Sequence, residues 1–268
     1  MRFFKKKVII YSQGIGPLNN EKNRVKTLNV LSRCDAVTVR DSLSAAFLKE
    51  LGLYRDIHVA SDPVMAFDRE DIDGNEISCL LRESGIPDDS DKARKPLLFV
   101  SMRLWKDNTF FAPIAKLLDS QVEKGWDVLL VPAHFPADMD AASKLRSMMS
   151  LPSYAIDKCL TASQFLALAA RADKVFSMRL HGLICAMAMG VPMLALSYDP
   201  KVDGFMEQAG LERFCLPCDD FDLAAAEALL EELDAVPPEV VKKQTTRRAE
   251  MRELAWVSAR KAVELLQK

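Results

Sequence analysis

The tetrapeptide Ser-Met-Arg-Leu occurs twice, at 101–104 and at 177–180, each time closing a short apolar run, in LLFVSMRLW and KVFSMRLHG. A guanidinium leaving a buried strand is suited to gripping an oxyanion, because its planar fork of N–H donors matches carboxylate and phosphate geometry. Arg103 and Arg179 are therefore candidate anion ligands. His181 lies two residues after Arg179, and in extended backbone two such side chains share a face. His181-Gly182 then opens GLICAMAMG, which reads as a helix of small residues. A helix N-terminus offers unpaired N–H groups and a partial positive charge to an anion. Gly182 would let a ligand approach the backbone there, with Ser177 beside it. The imidazole, with an ordinary pKa near 6.5, suits general acid or base work at neutral pH. Neighbouring cations would lower that pKa and a bound dianion would raise it.

The next apolar run ends at Ser197-Tyr198-Asp199, and Lys201 follows at the start of another helix. A cation there opposes the helix dipole, which favours a functional reason for Lys201; Tyr198 beside it is a further candidate binding residue. His134, in VPAHFPAD, follows a further strand end and is a candidate cleft residue, whereas His58 sits inside an apparent strand. Near the start, Gly14 and Gly16 in QGIGPLNN resemble a phosphate-cradling turn, a weak signal that equally fits a plain strand-to-helix turn. Arg24 and Arg40 follow. Each cation has a bland alternative: Arg40 in a buried pair with Asp41, Arg179 in an ion pair with a helix carboxylate, Lys201 as a solvated lysine. His181 could equally cap a helix.

These residues must be held by an alternating pattern. Residues 1–75 read strand, loop, helix, strand, helix, strand, and form a partial N-terminal α/β domain. Residues 76–95 are acidic and polar and read as a linker. From 96 to 236, apolar runs alternate with helical periodicity, which implies a doubly wound parallel sheet. Residues 237–268 form a long amphipathic helix after Pro237-Pro238. In open α/β sheets ligands sit beyond the carboxyl ends of the strands, where both Ser-Met-Arg-Leu copies lie.

The totals bound the answer. The chain has 268 residues, 49% apolar and 28% charged, with a net charge of −2, so no electrostatic case exists for nucleic acid as a partner. Its six cysteines lie mostly in apolar stretches and suggest a reducing compartment. Cys215-Leu-Pro-Cys218 has metal or redox spacing, but nothing completes a zinc site, and no metal or cofactor is expected. The apolar run after MRFFKKK is too short for a signal peptide or membrane span, so a cytoplasmic protein is expected.

The ordered set QGIGPL, TVRDSLSAAFLKELG, ASDPV, VSMRLW, SMRLHGL, GVP and LSYDPKV resembles the polysaccharide pyruvyl transferase family, of the bacterial type acting on secondary cell-wall polymer precursors. The resemblance implies two Rossmann-like, doubly wound domains of the GT-B type with the active site between them. It also implies transfer of a pyruvyl unit from phosphoenolpyruvate to two hydroxyls of one sugar. A cyclic ketal forms and phosphate leaves, with N-acetylmannosamine in a lipid-linked disaccharide as the implied acceptor and S-layer anchoring as the cellular use. Arg103 and Arg179, with Lys201 and the His181 helix, would bind the donor, and Arg24 or Arg40 would reach it from the first domain. Members usually carry a longer stretch before QGIGPL, so a shortened first domain is expected. The C-terminal helix, with Trp256 and KKQTTRRAEMR, is expected first to cross back onto the first domain. Covering a missing surface, pairing with another subunit or peripheral contact with the inner face of the membrane are its alternatives.

Two other functions compete. A GT-B glycosyltransferase or sugar epimerase using a nucleotide-sugar commonly carries an acid on the helix before GVP to hold a ribose, and GLICAMAMG has none. The remaining alternative is a non-catalytic anion- or sugar-binding protein, or an inactive fragment.

Overall fold

The computed structural model describes residues 6–87 and 94–267. The chain divides into two compact units, Met1–Phe67 with Arg248–Lys268, and Asp68–Arg247.

In the first unit, strands β1 (Ile9–Gln13), β2 (Ala36–Val39) and β3 (His58–Val59) form a parallel sheet in that order. Helix α1 (Glu21–Leu31) is capped by Asn20, and α2 (Ser42–Glu50) by Asp41, whose carboxylate accepts from the Ser44 N–H. Leu31, Val37, Val39, Leu48 and Leu53 make its core. The last helix, α10 (Pro238–Leu266), belongs to the second unit up to Arg247 and to the first from Arg248 onward. Within the first unit, the buried Ser258 hydroxyl meets those of Ser12 at 2.7 Å and Thr38 at 2.6 Å.

The second unit begins at Asp68, earlier than the expected boundary near 75. Residues expected to be linker contain helix α3 (Gly74–Glu83), which packs against helix α6 (Ala162–Arg171). Its acidic composition conceals an apolar stripe: Ile77, Leu80 and Leu81 follow helical spacing, and both leucines are buried. Arg69 fastens this stretch by donating to the Ala170 and Met189 carbonyls. Residues 88–93 of the expected linker lie outside the described residues.

The second sheet contains β4 (Leu97–Ser101), β5 (Asp127–Leu130), β6 (Tyr154–Ala155), β7 (Lys174–Ser177), β8 (Met193–Ser197) and β9 (Cys215–Pro217). Every pairing is parallel, in the order β6-β5-β4-β7-β8-β9. Strands β4, β7 and β8 are buried along their whole length, as a sheet covered on both faces requires. Helix α4 (Phe111–Glu123) packs against α5 (Met139–Met148) and α9 (Leu223–Glu232), while α7 (Leu180–Met189) packs against α6 and α8 (Pro200–Ala209). Counted within this unit the order is third-second-first-fourth-fifth-sixth, so the direction of winding reverses between β4 and β7. Such a reversal opens the crevice in which doubly wound sheets hold ligands.

Candidate active site

The two Ser-Met-Arg-Leu copies close the two strands that flank this reversal. They are in register: Ser101 pairs with Ser177 across β4 and β7. Arg103 and Arg179 therefore occupy equivalent positions, two residues beyond a paired serine. Both serines are fully buried and tie the strand ends together. The Ser101 hydroxyl donates to the Val131 carbonyl, and the Ser101 carbonyl accepts from the Met178 N–H at 2.9 Å. The Ser177 hydroxyl accepts from the Arg179 N–H at 3.0 Å and donates to the Arg179 carbonyl at 2.8 Å. Ser177 is thus buried and forms the turn into α7.

Gly182 packs against the same serine. A Cβ at this position would lie 2.4 Å from Ser177 Oγ, so the missing side chain lets α7 close onto β7. Helix α7 has no side-chain cap at Arg179. His181, in its first turn, is exposed at the same sheet edge.

The two arginines are engaged on opposite sides. Arg179 forms a two-pronged pair with Asp138, whose side chain is 1% exposed, Nε meeting Oδ2 at 2.9 Å and Nη2 meeting Oδ1. Asp138 Oδ2 also accepts from the His134 N–H at 2.9 Å, and the Asp138 N–H returns to the His134 carbonyl at 2.9 Å. The loop after β5 is thereby built around this carboxylate, with the His134 side chain exposed on it. The ion pair is the bland alternative for Arg179. It leaves Nη1 without a hydrogen-bond partner among the described residues.

Arg103 is different: among the described residues no carboxylate meets it. Its guanidinium carbon lies 4.9 Å from the centre of the Tyr198 ring and 5.2 Å from that of Trp105. Its Nη1 donates to the Tyr198 hydroxyl at 3.1 Å. Lys201 reaches the Tyr198 ring at 5.5 Å, but its ammonium is paired at 3.3 Å with Asp199, the cap of α8. Among the described residues, Arg103 thus has no carboxylate partner at this edge, and the start of α7 has no side-chain cap at Arg179.

In the first unit, the expected phosphate turn is packed against protein. A Cβ on Gly14 would strike the Arg40 guanidinium at 2.6 Å, and one on Gly16, whose φ is +99°, would strike the Phe47 ring at 2.8 Å. Arg40 pairs with Asp62 at 3.3 Å and with Asp41 at 3.7 Å. Arg24 lies between Glu21 at 3.7 Å and Glu50 at 3.6 Å. Each is already met by carboxylates of its own unit.

Sequence reasoning missed two residues. Asp138 is forty-one positions from Arg179, and its only local sign is an acid at the start of a helix. Trp105 directly follows the first Ser-Met-Arg-Leu copy but carries no charge to draw notice. The cysteine pair is quiet: burial and Asp203 push the Cys215 thiol up to about 12, and burial also raises Cys218. Among the described residues no group of three His, Cys, Asp or Glu is arranged to hold a metal ion, and no helix is long and apolar enough to cross a membrane.

A family model described as polysaccharide pyruvyl transferase matches residues 2–200. Curated protein sequences give no significant match. Solved structures similar to the chain include S. aureus MnaA with UDP, at 15% identity and TM-score 0.63 over 97% of this chain and 69% of that one. Anabaena HepE with UDP-glucose is similar at 17% identity and TM-score 0.56, over 98% and 72%. The wall teichoic acid polymerase TagF is similar at 14% identity and TM-score 0.53, over 98% and 66%. At such identities the likeness is one of fold, the GT-B-like arrangement of parallel α/β sheets.

Proposed function

The chain belongs to the polysaccharide pyruvyl transferase family, and from that premise we propose that it transfers a pyruvyl unit from phosphoenolpyruvate to a cell-wall polysaccharide precursor. The observation that carries the donor reading is Arg103, a guanidinium without a carboxylate partner among the described residues, set in register with Arg179 beside an uncapped helix N-terminus. Phosphoenolpyruvate bears a carboxylate and a phosphate, and two anionic ends call for two cationic grips.

In this reading Arg103 binds one end of the donor, while Nη1 of Arg179 and the first N–H groups of α7 bind the other. His181 delivers a proton to the methylene carbon, so that the carbon–carbon π bond opens and C2 becomes electrophilic. One sugar hydroxyl adds to C2, the bond from C2 to the phosphate oxygen breaks, and a second hydroxyl closes the ketal. The two hydroxyl protons balance the new methyl hydrogen and the released hydrogen phosphate. Lys201 and His134 stand at the same sheet edge as further donors to oxyanions. The proposed acceptor is N-acetylmannosamine in a lipid-linked disaccharide, reached in the cytoplasm at the inner face of the membrane.

A thermal-shift comparison tests the donor. Stabilisation by phosphoenolpyruvate but not by nucleotide-sugars supports it; the reverse favours a glycosyltransferase or epimerase.

A further inference from the structure

We propose that Trp105 is the positioning residue of the anion site, acting through Arg103. The inference rests on the donor reading above and adds the device that aims its principal cation. The loop Leu104–Thr109 carries two non-glycine residues with left-handed backbone, Lys106 at φ +50° and Asn108 at φ +59°. Such conformations cost energy and persist only where the surroundings over-determine them. Here the surroundings fix Trp105. The Asn108 carboxamide oxygen accepts from the Trp105 N–H at 2.7 Å, and the Asn108 N–H donates back to the Trp105 carbonyl at 3.0 Å. Lys106 is anchored to Asp219 at 2.6 Å, and Thr109 is held by Asp107.

The indole so placed lies 4.9 Å from the Tyr198 ring, at an interplanar angle of 60°. Both rings contact the Arg103 guanidinium. Aromatic faces attract a guanidinium without neutralising it, unlike a carboxylate. The arrangement therefore orders Arg103 while preserving its charge. Nη1 spends one N–H on the Tyr198 hydroxyl, and Nε has a long 3.4 Å contact with the Leu104 carbonyl. The remaining N–H of Nη1 and both of Nη2 meet no acceptor among the described residues and are left to bind one carboxylate or phosphate. The Tyr198 hydroxyl, having accepted from Arg103, keeps its own proton to donate.

The test uses the full chain and its Trp105→Leu and Trp105→Phe variants. Calorimetric titration with phosphoenolpyruvate reads the anion site, and NMR order of the Arg103 Nε–H bond reads the clamp directly. Trp105→Leu is expected to weaken donor affinity about tenfold and to mobilise the Arg103 side chain, while Trp105→Phe restores both. An Arg103 as ordered in Trp105→Leu as in the parent, or unchanged donor affinity, overturns the proposal. Should the parent itself fail to bind phosphoenolpyruvate, the donor reading falls, and the Nε–H order still decides the clamp.

Discussion

Asp138 and Gly182 set the precision of the site at the scale of single residues. Asp138 is buried, and its carboxylate holds Arg179 by two prongs and the His134 backbone by a third contact. Removing one partner of such a pair leaves the other charge uncompensated, although Arg179 retains some exposure that softens the loss. Asp138→Ala is expected to cost about 2 kcal/mol in stability, read from the denaturant midpoint, and to lower kcat/KM. Equal activity and stability would show that Arg179 needs no holder. At Gly182 the added methyl of alanine would meet Ser177 Oγ, a short side chain already committed to the turn. Gly182→Ala is expected to cost about 1–3 kcal/mol through overpacking and to lift the start of α7 away from β7. A Gly182→Ala variant of full stability that no longer binds the donor would instead support the ligand-approach role expected from the sequence alone, and one of full stability and activity would show that neither role constrains the position.

At the scale of elements, the strands and helices of the second sheet were legible because apolar runs and helical periods alternate there without interruption. The Ser-Met-Arg-Leu copies could be placed at strand ends for the same reason. Their shared register could not, because strand order depends on long-range pairing that no local window contains. Helix α3 was hidden by its acids, since its apolar stripe of Ile77, Leu80 and Leu81 is short. The glycines of QGIGPL left two readings open because a glycine that admits a phosphate and one that admits Arg40 look alike in sequence. Lys174 shows what elements do away from the site. At the start of β7 it is 2% exposed, donates to the Leu230 carbonyl near the end of α9, pairs with Asp234 and lies 4.3 Å from the Trp126 ring. Burial, against the pull of Asp234, lowers its pKa below the usual lysine value. The folded state thus releases this proton at lower pH than the unfolded chain does, so stability rises with pH through the folded value toward 10.5. Lys174→Met is expected to remove that alkaline gain relative to the parent, measured by urea unfolding from pH 8 to 10.5. An unchanged difference between the two proteins across that range would mean that Lys174 titrates normally.

Across the whole molecule, two parallel α/β units share the last helix, and the strand reversal of the second unit collects its cations on one edge. With a net charge of −2 the chain has no general attraction for anions; selectivity must come from a few placed groups. In the proposed reading Arg103 supplies full charge, Arg179 supplies geometry at the expense of charge, and His181 supplies the proton. The family assignment fixes the class of chemistry, and this distribution of charge is the basis for choosing phosphoenolpyruvate as donor. The most direct test is phosphate release from phosphoenolpyruvate in the presence of a lipid-linked disaccharide ending in N-acetylmannosamine, comparing the parent chain with His181→Ala. The account predicts release by the parent and its loss in a variant that unfolds at the same temperature. Undiminished release by His181→Ala would contradict it.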